Sequence, residues 1–299
     1  MTVKVALIGA GAMGGAIGTR LAQAGNHVCV FDLDAGKVAE LVAHGAIGAT
    51  SAAEAAAASD YVITSLNAPH VVDIAVFGKG GVAEGAKPGT LIIDMSSIDP
   101  EATKNLAAKA ADKALRWVDS PLSGGAPKAL IGELTLMVGG DAQDVADAHN
   151  VLQHVASNCT HMGPVGAGQT TKLINQVLCG LNFLAVAEAT QLAIDAGVDA
   201  AKIPTALKGG RADSAILQEY MPRYVTKDYR RTGRIDSMVK DLNSAPAFPK
   251  IMEIDYDDRA AVTAALNSDA RTIGKQATEA LLPRFFEGRI HHHVTAKAV

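Results

Sequence analysis

The groups best placed to move a proton in this chain lie in Gly166-Ala167-Gly168-Gln169-Thr170-Thr171-Lys172-Leu173-Ile174-Asn175-Gln176, at the head of an apolar segment that runs to about Gly197. The segment predicts a helix. Lys172, Asn175 and Gln176 are spaced i, i+3 and i+4, which puts one amine and two amides on one face. An amine near a helix N-terminus feels the positive end of the macrodipole. If it is also desolvated, its pKa falls toward neutrality, where it can exchange protons with a substrate. The alternative is a lysine solvated in the first turn.

A second chemical signal stands at the N-terminus. Val3 to Ile8 is a β-branched run that stops at Gly9-Ala10-Gly11-Ala12-Met13-Gly14, after which a helical pattern continues through Ala24 to Gly25. A second strand, His27 to Phe31, ends in Asp32, 18 positions after Gly14. Strand, G-x-G-x-x-G, helix, strand and acid together predict a dinucleotide site. The glycines admit a pyrophosphate to the backbone, the helix N-terminus meets its charge, and Asp32 accepts from the ribose hydroxyls. The alternative for Asp32 is a cap on the next helix, which Asp34 could supply instead.

The elements that must hold these groups follow in order. Helices are expected over Asp34 to His44, Ser51 to Ala58 and Asp141 to Val155, and strands over Tyr61 to Ser65, Leu91 to Asp94, Trp117 to Ser120 and Leu134 to Val138. Such alternation predicts a parallel sheet. Ligands bind at the C-terminal ends of such strands, which singles out Leu66-Asn67-Ala68-Pro69 and Met95 to Pro100. Pro121 to Pro127 reads as a loop whose Ser123, Gly124 and Gly125 could offer N–H groups to a carboxylate, or as a plain turn. His161 to Pro164 closes the first domain, 1–164. Beyond it the pattern is helical, over Ala200 to Leu207, Ser214 to Met221 and Ile235 to Ala245, so 165–299 is expected to be all-α.

Composition narrows the partners. At 299 residues with a net charge of -4, the chain has room for two cores and no electrostatic bias toward nucleic acid or an anionic membrane, so a small substrate is expected. Cys29, Cys159 and Cys179 show no disulfide or zinc spacing, which suits a reducing cytoplasm, and no metal is expected. The N-terminal apolar run is too short for a signal peptide, and Val177 to Ala187 is too short for a bilayer, so the latter reads as a buried helix.

In order, several motifs resemble the β-hydroxyacid dehydrogenases, a family that includes 3-hydroxyisobutyrate dehydrogenase and tartronate semialdehyde (2-hydroxy-3-oxopropionate) reductase. Gly9 to Gly14 is similar to its dinucleotide signature, Asp94-Met95-Ser96-Ser97 to its D-x-S-S/T loop, and Asp119-Ser120-Pro121-Leu122-Ser123-Gly124-Gly125 to its substrate loop. Gly166 to Asn175 resembles its catalytic helix and Lys240-Asp241-Leu242 its late K-D-L. The resemblance implies a Rossmann domain followed by a helical one, assembled as a homodimer or homotetramer through the long helix. It implies a nicotinamide dinucleotide as cofactor and a small carboxylate as substrate, and Asp32 with no arginine in Leu33 to Lys37 favours NAD, with NADP as the alternative should Lys37 reach a 2′-phosphate. Lys172 becomes the general acid/base, Ser123, Gly124 and Gly125 the carboxylate cradle, Asn175 an orienting amide with Gln176 beside it on the substrate side, and Ser97 and Lys240 cofactor contacts. Leu66 and Asn67 join the cofactor side. Gln176, with Asn67 to His70 and Gly124 to Ala129, looks closer to the tartronate semialdehyde reductases. Ser120 and Leu122 stand where Ala and Val are usual, and Pro246 to Arg259 departs from the pattern. Pro246 and Pro249 predict that the Lys240 helix ends by Ala245. Imine-reducing enzymes of the same architecture replace the lysine, and scaffold relatives can lose it.

Overall fold

A computed structural model describes residues 2–228, Arg230 and Asp241. The chain divides into two compact units, Met1–Asn175 and Gln176–Val299. In the first, β1 (Lys4–Ile8), α1 (Ala12–Gln23), β2 (His27–Phe31) and α2 (Ala35–Ala43) lead to a two-residue β3 (Ile47–Gly48), α3 (Ala52–Ala57) and β4 (Tyr61–Thr64). Then come α4 (Pro69–Phe77), the short α5 (Val82–Gly85), β5 (Leu91–Asp94), α6 (Pro100–Asp112) and β6 (Arg116–Asp119). β7 (Leu122–Ser123), α7 (Gly125–Leu130), β8 (Leu134–Gly139), α8 (Ala142–Leu152) and β9 (Ala156–Gly163) follow, and α9 (Ala167–Asp195) starts in this unit.

The strands form one sheet in the order β3-β2-β1-β4-β5-β6-β8-β7, with β9 on β8. The order reverses at β1, which is flanked by β2 and β4, so the connections leaving β1 and β4 diverge and open a crevice at the strands' C-terminal ends. Successive residues of each strand enter opposite cores. Val5, Leu7, Leu91, Ile93 and Val118 pack with α1 and α8, while Ala6, Ile8, Ile92 and Trp117 pack with α4 and α6. Burial on both faces is why these strands read as unbroken apolar runs. Each fully buried Leu or Ile contributes about 1.5–3 kcal/mol.

The expected α/β class holds, with local corrections. The sheet is mixed, because β8 runs antiparallel to β6 and β7 and parallel to β9. The segment read as a loop, Pro121 to Pro127, contains β7 and the start of α7, held by the pairing of Leu122 with Leu136 and Ser123 with Thr135. His161 to Gly163, expected to close the first domain, ends strand β9. Most of its side chains are exposed and polar, so its backbone pairing with β8 carries the strand without an apolar pattern.

In the second unit, α9 continues and is followed by a 3₁₀ turn (Ala200–Lys202), α10 (Ile203–Leu207) and α11 (Ala215–Val225). Ser214 caps α11 by accepting from Leu217 N at 3.0 Å, and Val186, Leu217 and Met221 form its core. The helix runs one turn past the expected Met221 and contains Pro222. The Pro222 carbonyl still accepts from Thr226 N, so the turn is kept. Among the described residues this unit contains only helices. The helix expected to be buried at Val177 to Ala187 is buried only in part: Val186 lies in the core, whereas Leu178, Leu181 and Leu184 are exposed, as are Leu192 and Ile194 further on. By length and composition alone α9 would pass for a membrane span: its most apolar 18 residues have a mean hydropathy of 1.6, and 17% of that stretch is buried.

Candidate active site

At the β1 end, the glycine turn is shaped by close approach. A Cβ on Gly14 would lie 1.9 Å from Gly9 O, so α1 can sit this near the turn only with glycine there. A Cβ on Gly11 would meet nothing within 4 Å. Gly11 caps α1 without a side-chain bond, and no acid stands in the first turn, so the helix N–H groups are left for an external anion. This fits a dinucleotide pyrophosphate. A cleft of about 510 Å³ opens beside Ala10, Gly11 and Ala12, with Thr19 and Lys37 on its wall. Ala12 and Met13 open α1, and Met13 packs against the core.

Asp32 is organised from the same turn. Its Oδ2 accepts from Ala10 N at 2.7 Å and its Oδ1 from Asp34 N at 2.8 Å. Asp34, not Asp32, caps α2, accepting from Gly36 N at 2.9 Å, which settles the capping alternative. Lys37 Nζ lies 4.0 Å from Asp32 Oδ1 and 3.6 Å from Asp34 Oδ2. One lysine therefore leans on the two acids at the end of β2.

At the ends of β4, β5 and β6 lies a buried polar network that the sequence reading did not assemble. Asp94, with no exposed surface, accepts at Oδ1 from Thr64 Oγ1 at 2.8 Å and Ser96 N at 3.0 Å. Its Oδ2 has no hydrogen-bond partner. Burial pushes its pKa up to about 6, against the pull of the Ser96 and Thr64 bonds and with a push from the charge of Asp119. Ser96 Oγ in turn accepts from Leu66 N at 3.0 Å, joining the loops after β4 and β5.

Asp119 ties the long helix to the sheet. Its Oδ1 accepts from Gly166 N and its Oδ2 from Gln169 N, both at 2.8 Å. Burial raises its pKa while these N–H groups oppose the rise. A carboxylate from a distant strand thus satisfies the N-terminus of α9. The approach is tight, since a Cβ on Gly168 would lie 2.4 Å from Met137 O. Gln169, 1% exposed, donates from Nε2 to Ser96 O at 2.7 Å and accepts at Oε1 from Ile98 N at 3.2 Å. Its place three residues before Lys172 and seven before Gln176 was visible in the sequence, but its partners lie 73 and 71 positions away.

The remaining expected residues fall as follows. Lys172 is buried, 9% exposed, one turn beyond Gln169, and Asn175 is half-buried. Gln176 is buried and donates to Asp241 Oδ2 at 2.8 Å, linking the catalytic-helix motif to the K-D-L motif. Ser123 is half-buried in β7, three residues after Ser120, while Gly124 (φ +120) and Gly125 (φ +71) are exposed at the head of α7 in the left-handed region that favours glycine. Leu66 and Ser97 are half-buried and Asn67 exposed. Lys240 and the proposed helix end at Ala245 lie outside the described residues. Among the described residues no group of three or more His, Cys, Asp or Glu gathers as a metal site would require.

The chain matches two family models. Residues 4–163 match the NAD binding domain of 6-phosphogluconate dehydrogenase, and residues 166–284 match the NAD-binding domain of NADP-dependent 3-hydroxyisobutyrate dehydrogenase. The second match runs across 246–259. The chain is 32% identical over 291 residues to 2-hydroxy-3-oxopropionate reductase of Escherichia coli, covering 97% of this chain and 99% of that protein. It is 34% identical over 245 residues to 2-(hydroxymethyl)glutarate dehydrogenase of Eubacterium barkeri, covering 82% and 81%. Among solved structures, 3-hydroxyisobutyrate dehydrogenase of Mycobacterium tuberculosis with L-serine superposes with a TM-score of 0.75 at 29% identity, covering 93% of this chain and 92% of that one.

Proposed function

Because this chain belongs to the β-hydroxyacid dehydrogenase family of NAD(P)-dependent oxidoreductases, we propose that it interconverts a short semialdehyde carboxylate and its hydroxy acid, with 2-hydroxy-3-oxopropionate (tartronate semialdehyde) as substrate. The observation that carries this reading is the setting of Lys172. It is a buried amine, one turn along a helix whose first residues are fastened both to Asp119, where the Ser123 loop begins, and to the turn that holds Ser97. The nicotinamide, when bound, supplies or accepts the hydride.

The chain's own residues do the rest. Lys172 gives a proton to the aldehyde oxygen in reduction and takes the hydroxyl proton in oxidation. Ser123, Gly124 and Gly125 hold the carboxylate, Asn175 orients the substrate, and Gln176 fixes the neighbouring turn of the helix through Asp241. Gly9 to Gly14 take the pyrophosphate, Asp32 the ribose, and Leu66, Asn67, Ser97 and Lys240 the remainder of the dinucleotide. A scaffold role is disfavoured by the presence of Lys172, and so is imine reduction. The choice of substrate is supported by Asn175-Gln176, Asn67 to His70 and Gly124 to Ala129, which look closer to the tartronate semialdehyde reductases. We further propose a homodimer or homotetramer working in the cytoplasm.

The test is a steady-state screen of tartronate semialdehyde, methylmalonate semialdehyde, succinate semialdehyde and glyoxylate with NADH and with NADPH. The highest kcat/KM is expected for tartronate semialdehyde with NADH, since Asp32 repels a 2′-phosphate and Leu33 to Lys37 contains no arginine. A preference for methylmalonate semialdehyde would make the chain a 3-hydroxyisobutyrate dehydrogenase instead. An NADPH preference would give Lys37 the phosphate, and no turnover with any pair would favour the scaffold.

A further inference from the structure

The two ends of the Gln169 side chain are bonded to backbone on either side of Ser97: its Nε2 donates to the carbonyl of Ser96 and its Oε1 accepts from the N–H of Ile98. Its own N–H is held by Asp119. Such an amide is a costly way to fill space. Burying it is unfavourable unless both ends are bonded, and an apolar side chain of the same volume would pack without that demand. What the amide adds is direction. It donates and accepts at once, so it fixes the turn along its length as well as against the helix. Glu would set an acceptor against the Ser96 carbonyl and a second carboxylate beside Asp119, and Met would make neither bond.

Lys172 stands three residues further on, on the same side of α9. Resting on the reading of Ser97 as a cofactor contact and Lys172 as the proton-transfer group, we propose that Gln169 is a positioning residue: its amide is a spacer that sets the register between the Ser97 turn and the helix face carrying Lys172. Hydride and proton must reach adjacent atoms of one substrate in the same event, so an error in that register is paid in rate and not in cofactor binding. Asp119 completes the device by holding the start of the helix, so that Gln169 acts from a fixed base.

The test compares wild type with Gln169→Met, using NADH and whichever of the four aldehydes wild type reduces fastest. The expected result is a folded variant with near wild-type NADH affinity and a kcat lower by about 10²-fold, the scale of a 1 Å misplacement. The primary deuterium isotope effect on kcat, read with 4-deuterated NADH, should rise as hydride transfer becomes the slow step, and the Ile98 amide should exchange faster with deuterium. A packing role alone would lower Tm and leave the isotope effect where it was. Wild-type kcat or an unchanged isotope effect in the folded variant overturns the proposal. So does an Ile98 amide that, in wild type, exchanges as fast as exposed loop amides, a measurement that needs no variant to fold. If wild type reduces none of the four aldehydes, the functional reading fails, and the Ile98 exchange rate still decides whether the clamp exists.

Discussion

At the scale of single residues, the strand ends hold polar side chains where water cannot relax them. Asp94 is the clearest case, because one of its oxygens is fully bonded and the other has no partner. Its pKa rises from 3.8 in the unfolded chain to about 6 in the folded one. Between those values the folded chain keeps a proton that the unfolded chain has released. The stability contributed by neutral Asp94 is therefore fully present below 3.8 and is lost as pH climbs to about 6, an effect on the order of 3 kcal/mol. Asp94→Asn keeps an acceptor for Thr64 and Ser96 and cannot ionise. Its Tm relative to wild type should therefore be higher at about pH 8 than at about pH 5. Thermal melts of the pair at both pH values check this, and a Tm difference that does not change with pH would contradict it.

At the scale of elements, the site is made by strand ends gripping one helix start. Gly168 is the point of closest contact, with a would-be Cβ 2.4 Å from Met137 O and 2.8 Å from Asp119 Oδ2. Gly168→Ala must push α9 outward or strain β8. Overpacking of this kind costs about 1–3 kcal/mol, and denaturant unfolding should show it. An unfolding midpoint equal to wild type would mean that the helix is not pressed on the sheet. Much of this architecture was legible in the sequence. Gly9 to Gly14 followed by Asp32, and the helix opening at Gly166 to Lys172, are local patterns, and each folds as its spacing required. The rest depended on distant partners. β9 carries Ser157, Asn158 and His161, none of which announces a strand, and Thr160 alone among its polar residues favours one, so it exists because β8 offers an edge. The Pro121 to Pro127 run has loop composition, yet β8 draws two of its residues into the sheet. Gln169 was in view as one polar residue on a helix, and only the fold brings Ser96 and Ile98 to it.

At the scale of the whole molecule, α9 has two kinds of surface. Its first turns carry Gln169 and Lys172 buried, whereas Leu178, Leu181, Leu184 and Leu192 lie exposed on the rest. A helix whose first turns are fastened by Asp119 to the C-terminal end of an inner strand, β6, is poorly suited to a bilayer, and a second copy of the chain is the occupant we propose for the apolar length. Sedimentation of wild type should give a dimer or tetramer, and Leu181→Glu should reduce its mass. A wild-type monomer at micromolar concentration would remove the proposal.

The proposed separation of cofactor binding from proton transfer likewise rests on the whole chain, since the dinucleotide turn and the start of the Lys172 helix are held by different contacts. The most direct measurement of the central claim is therefore Lys172→Met, assayed for turnover and, by calorimetric titration, for NADH affinity. The expected result is a loss in kcat of at least about 10²-fold, within the range of a general acid/base group, with NADH affinity near that of wild type. A variant that keeps more than about a tenth of wild-type kcat would contradict the account, because a proton-transfer group cannot be removed at so small a loss.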